Sequence, residues 1–214
     1  KDLANIELAL KNVNALQRDD MSDCEACEMD AEVSAILLRN GYGPAVEKAL
    51  PLIEGQFTCA HVPLRTAVNL ACEGYKSGDN DQADKMAKMA EKEVFKKEKD
   101  SAILISVIKL ATYFSYTDPT KAKEWIERFL PWADGPDNRS MFQLACYICE
   151  AMGNFNPNEE FRLELSERHN LFGGKENYTA NEIAIHYGEL VEQLADRFDK
   201  RNGNHNFRNQ LLKL

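Results

Sequence analysis

The sequence predicts an all-α protein, an α-solenoid of stacked antiparallel helix hairpins in a right-handed array closed by a C-terminal capping helix. Two observations carry that prediction. First, Leu64, Ala67, Val68, Ala71, Cys72 and Tyr75 fall at steps of 0, 3, 4, 7, 8 and 11, and Met141, Leu144, Ala145, Ile148, Cys149 and Met152 repeat those steps. That spacing puts six apolar side chains on one side of a helix. Second, Ala45, Ala83 and Ala122 each follow a turn (NGYG, SGDN and TDPT) and recur at separations of 38 and 39 residues. A small residue at that register lets the second helix of each hairpin approach the first closely, and a helix–turn–helix period of this length marks a repeat array.

Taken in order, Leu3, Ile6, Leu10, Val13 and Leu16 define a helix over 3–17, a first helix or the second half of a truncated hairpin, that stops at Asp19-Asp20. Ser22 with Glu25 three residues later reads as a capping box opening a helix over 24–39, with Cys24, Cys27, Ala31, Ala35 and Leu38 as its apolar positions. Asn40-Gly41-Tyr42-Gly43 breaks that helix. Pro44 suits the first turn of the next, whose buried side is Ala45, Ala49, Leu52 and Ile53. The central hairpin follows over 59–95, with Ala83, Met86, Ala87, Ala90 and Val94 facing in and Lys85, Lys88, Lys92 and Lys96 facing out.

Residues 101–116 (SAILISVIKLATYFSY) are apolar nearly all round, as in a helix enclosed by neighbours, and are expected to be the most buried. Ala122, Trp125, Ile126, Phe129, Leu130 and Ala133 define its return helix, and Gly135-Pro136-Asp137 separates that from the helix over 141–152. Residues 154–178, rich in Asn, Gly and Pro, are expected to be irregular around one helical stretch, Glu159 to His169. Thr179 with Glu182 opens a last long helix carrying Ile183, His186, Tyr187, Leu190, Leu194 and Phe198, and Asn202-Gly203-Asn204 closes it. The expected organisation is one domain over 1–214, with repeats at about 22–56, 60–98 and 100–134, a partial repeat at 137–170 and a cap over 179–214. Strand content is expected to be negligible.

Three segments carry a resemblance: Asp19 to Cys27 (DDMSDCEAC), Ala49 to Pro63 (ALPLIEGQFTCAHVP) and Phe198 to Asn204 (FDKRNGN). There the chain resembles an uncharacterised bacterial group of tetratricopeptide-repeat-like (TPR-like) helical proteins, from about Asp19 to the end. The resemblance implies a TPR-like solenoid and no site residues, because tetratricopeptide-type similarity is shared by many functions. Members carry further helices before the equivalent of Lys1, so the resemblance also implies a start truncated relative to them.

Composition bounds the function. Lys plus Arg number 26 against 35 Asp plus Glu, a net charge of −9. This argues against nucleic-acid and anionic-membrane partners and permits a basic protein or peptide. With 44% apolar residues a substantial core is available. Six cysteines in a chain of this size do not form a small secreted framework, so a reducing cytoplasm is expected. The sequence has no run of about 18 apolar residues and no basic-then-apolar leader. Nor does it contain a phosphate loop, GxSxG, HExxH or dinucleotide fingerprint, and a non-enzymatic protein is expected.

Two residue sets stand out. Cys24-x-x-Cys27 and Cys59-x-His61 are the one arrangement with metal-ligand character, since first helices of neighbouring hairpins run side by side and bring both pairs to one end. Cys24, Cys27, Cys59 and His61 form a permissible structural zinc set, and free packed thiols or a disulfide fit the same residues. Cys146 and Cys149 share the CxxC spacing but lie mid-helix and read as packing. The second set is acidic. Asp19, Asp20, Asp23, Glu25, Glu28, Asp30 and Glu32 fall in one stretch without Lys or Arg, either as a solvated face at a helix start or as a docking surface for a basic partner. In a solenoid groove that surface would continue toward an apolar end at Tyr113 and Tyr116. The function classes left are a protein-protein interaction module binding a protein or peptide, an immunity or antitoxin-like protein neutralising a basic toxin domain, and a zinc-containing regulatory protein.

Overall fold

The computed structural model describes residues 3–17, 19–97, 100–135 and 137–212. Among them are ten α-helices and a single pair of short strands. No helix is long and apolar enough to cross a membrane among the described residues. The chain divides into two compact units, residues 1–98 and 99–214.

The first unit contains α1 (Leu3–Asn14), α2 (Glu25–Leu37), α3 (Tyr42–Ile53), α4 (Leu64–Ser77) and α5 (Asn80–Lys96). Helices α2 and α3 pack as one pair and α4 and α5 as another, with α4 also touching α2 and α3. Connections this short leave paired helices antiparallel. The core stripe of α4 follows the expected one except at its end: Leu64, Ala67, Val68, Ala71 and Cys72 are buried, joined by Thr66, Leu70 and Gly74, while Tyr75 is half-buried. Gly78 ends α4 in the left-handed region, and the Asp79 carboxylate then accepts from the Gln82 amide to start α5. Ala83, Met86, Ala87, Ala90 and Val94 face inward on α5 as the spacing required.

Gly74 allows the two pairs to meet. A Cβ there would collide with the Tyr42 ring of α3 and stand 3.1 Å from the Ala83 Cβ of α5.

Helix α1 forms over most of its expected span, and two expectations for α2 are corrected. On α1 the Leu3 and Ile6 side chains lie outside the described residues, Leu10 is half-buried, and Val13 and Leu16 are exposed. Ser22 does not cap α2: its hydroxyl accepts from the Asp19 amide, and Cys24 takes the N-cap position. The buried face of α2 is Ala26, Asp30, Val33 and Ala35, whereas Cys24, Ala31 and Leu38 are exposed. The apolar spacing read from the cysteines was therefore rotated round the helix, because one core position is filled by a paired carboxylate that no apolar count can register.

The second unit begins with a 3-10 turn (Ser101–Ile103) leading into α6 (Leu104–Thr117), then α7 (Pro119–Phe129), a 3-10 turn (Leu130–Trp132) and α8 (Asn138–Met152). Helix α6 buries nine of its residues and packs on α7 and α8, in line with its apolar character all round. Phe114, Trp125, Phe129 and Trp132 form a continuous aromatic run with ring centroids 4.9–5.4 Å apart, edge-to-face at both ends and tilted between Trp125 and Phe129, fastening α6 to α7. Asp118 and Asp137 cap α7 and α8 through their carboxylates. Pro136 lies outside the described residues.

Residues 154–178 also depart from expectation. Instead of a helix over 159–169, the chain forms β1 (Glu160–Arg162), antiparallel to β2 (Asn177–Thr179), with Phe161 opposite Tyr178. Phe161 and Leu163 are buried and their neighbours are not, a period of two that fixes extended backbone. The strands touch α7 and α9 (Ala180–Asn202). Helix α9 opens with the expected capping box, Thr179 with Glu182, and ends at Gly203 in the left-handed region. It packs along α8, so the helix read as a separate cap is the partner of α8, delayed in sequence by the strand insertion. Phe142, Phe198 and Phe207 then hold α10 (Asn206–Leu211) against both.

Candidate thiolate centre

Cys24 is the N-cap of α2 and Cys27 closes its first turn, the Cys27 amide donating to the Cys24 carbonyl at 2.9 Å. An N-cap and the third residue beyond it project from the same side of a helix start, the positive end of the helix dipole. Cys59 arrives from the loop between α3 and α4, where its amide donates to the Val62 carbonyl at 3.0 Å. Lys97, just after α5, secures that loop by donating to the carbonyls of Cys59 and Ala60 at 3.2 and 2.5 Å.

The three sulfurs lie within 4.8 Å of one another, and those of Cys27 and Cys59 are 3.4 Å apart. Beneath them Ala26, Leu52 and Val62 form an apolar floor that Met29 and Phe57 extend. Cys24 is exposed, so the triad opens to solvent on that side.

The imidazole of His61 does not join the sulfurs within that distance. Its contribution is through the backbone, which with that of Val62 favours the charged form of Cys59. Burial alone would raise the Cys59 pKa; these backbone groups and the neighbouring thiols outweigh it and lower it. Cys27 moves the other way, pushed up to about 12 by burial first and then by Cys59 and Cys24.

Next to the triad lies a contact the sequence did not reveal. Asp30, 3% exposed, accepts from Arg65 Nε at 2.7 Å and from the Thr66 hydroxyl. It ties α2 to α4 and brings the Arg65 guanidinium near Cys27 and Cys59. Its signal, one acid at a core step of α2, was hidden by the six other acids around it.

Asp30 is therefore structural, and the remaining acids divide. Asp19, Asp20, Asp23 and Glu25 are exposed; Glu28 and Glu32 are half-buried, and Glu32 pairs with Lys48. Tyr113 is only 3% exposed and packs on Phe114, so its ring offers no docking surface. Tyr116 is 41% exposed, with its hydroxyl donating to Glu150 at 3.1 Å. Cys146 and Cys149 lie within α8 with thiols pushed up by burial to about 12 and 11, as packing residues would be.

Comparison of the chain with protein-family models, with curated proteins and with solved structures finds no match. The class is therefore set by the fold: an α-helical protein of many paired helices, with a small strand insertion in its second unit.

Proposed function

We propose that the chain is a non-enzymatic protein-protein interaction module of the TPR-like kind, bacterial and cytoplasmic, that binds a basic protein or peptide segment through its acidic stretch. The observation that carries this reading is the run Asp19, Asp20, Asp23 and Glu25, all exposed and accompanied by exposed Leu16 and Met21 at 71% and 92%. An acidic surface with apolar side chains beside it suits a segment that presents Lys or Arg together with an aliphatic or aromatic anchor. The net charge of −9 strengthens long-range attraction for such a segment.

Fluorescence anisotropy with labelled Lys/Arg-rich peptides that also carry an aromatic residue tests the reading. The chain should bind them, and binding should weaken as salt is raised through the range where the Debye length falls below about 10 Å. Reversing Asp19, Asp20 and Asp23 to Lys together should slow association at least about 10-fold. Equal binding by the reversed variant, or no preference for basic over acidic peptides, would refute it.

A further inference from the structure

We infer that Cys24, Cys27 and Cys59 bind one thiophilic divalent metal ion of the zinc class as three thiolate ligands, fastening the start of α2 to the loop before α4. The geometry points there first. Zinc–sulfur bonds of about 2.3 Å at tetrahedral angles put ligand sulfurs roughly 3.8 Å apart. The observed triad, with one pair at 3.4 Å and every pair within 4.8 Å, brackets that edge and needs only small side-chain adjustments. The ligands come from two anchored places, the first turn of a helix and a loop held by Lys97 and by the Cys59 amide on the Val62 carbonyl. Such outer contacts orient metal ligands.

Charge is balanced as well. On binding, each S–H bond is replaced by an S–metal bond and its proton passes to solvent. Three thiolates around a divalent ion leave one net negative charge, with the Arg65 guanidinium near Cys27 and Cys59 and the Lys97 ammonium on the Cys59 carbonyl. The half-buried sulfurs of Cys27 and Cys59 over an apolar floor make each bond count more than it would in open water. The exposed side at Cys24 admits solvent to the fourth position, and the His61 imidazole is not a ligand.

Protein purified in reductant without a metal-affinity column is stripped by chelator and titrated with Co(II). Thiolate-to-cobalt charge-transfer absorption should saturate at one ion per chain, and zinc should displace it. Reactive thiols should fall on zinc addition and return with chelator. Cys24→Ser, Cys27→Ser and Cys59→Ser should each weaken binding beyond the roughly 10–100-fold that loss of an outer contact costs. His61→Ala and Cys146→Ser should leave stoichiometry and the charge-transfer band in place. Circular dichroism identifies any variant that fails to fold, and the thiol count on the wild-type chain is then decisive. No charge-transfer band, thiols equally reactive with and without zinc, or loss of binding in His61→Ala would each overturn the assignment.

Discussion

Asp30 and His169 show how single polar residues are handled inside these helices. Asp30 is buried with two donors, and Arg65 stays partly in water, so truncation leaves the cation solvated but strands the Thr66 hydroxyl. Asp30→Ala should cost about 1–3 kcal/mol by denaturant midpoint, with the m-value unchanged; an unchanged midpoint would remove the clip. His169 is buried, its Nδ1 accepting from the Leu171 amide at 3.2 Å, which leaves Nε2–H to donate to the Leu130 carbonyl at 3.1 Å. That arrangement needs the neutral ring. Burial lowers its pKa despite the opposing pull of that carbonyl, so the unfolded chain binds more protons than the folded one in mild acid. Stability from this residue is complete above the ordinary histidine pKa of about 6.5 and is lost as pH falls toward the lowered folded value. His186 is shifted the same way. His169→Gln keeps a donor and an acceptor, and its thermal midpoint should fall less between neutrality and pH about 5 than that of the wild type. Parallel pH profiles would contradict this.

Helices announced themselves where the apolar stripe was pure. The α5 and α7 faces, most of the α4 and α9 faces, the Thr179–Glu182 box and the glycine stop after α9 were legible, because each is a local pattern of one chemical kind; Tyr75, His186 and Leu190 are only half-buried, and Val191 was missed. The register of α2 was not, since its core includes Asp30 while two of its cysteines lie toward the thiol triad. Nor was β1: Phe161 and Leu163 form a period of two too short to outweigh the flanking acids until Tyr178 is brought opposite. The convergence of Cys24, Cys27 and Cys59 was legible from first helices running side by side, but the exclusion of the His61 imidazole was not, because it depends on where the loop before α4 turns. Two helical glycines separate local propensity from packing. Gly188 in α9 has no neighbour within 4 Å of a Cβ, so Gly188→Ala should stabilise by about 0.5–1 kcal/mol. Gly74 in α4 has Tyr42 and Ala83 against it, and Gly74→Ala should destabilise by about 1–3 kcal/mol despite the same propensity gain. Thermal midpoints of the pair should move in opposite directions; the same sign for both would mean that propensity, not the close approach, governs α4.

At the scale of the molecule, chemistry is unevenly shared between the two units. The first carries the acidic run from Asp19 to Glu25, the thiol triad and the Asp30–Arg65 clip, whereas the second is held by aromatic runs and a strand insertion. A metal at the triad would anchor the start of α2, directly after the acidic stretch offered to a partner, and so present that stretch from a fixed support. Amide hydrogen exchange of the reduced, chelator-stripped protein with and without an equivalent of zinc tests this most directly. Protection should rise at the start of α2 and across the loop from 54 to 63, with the amides of α6 and α8 serving as the internal reference. Exchange that is unchanged at the α2 start and the loop, or slowed equally throughout the chain, would contradict a thiolate centre built from Cys24, Cys27 and Cys59.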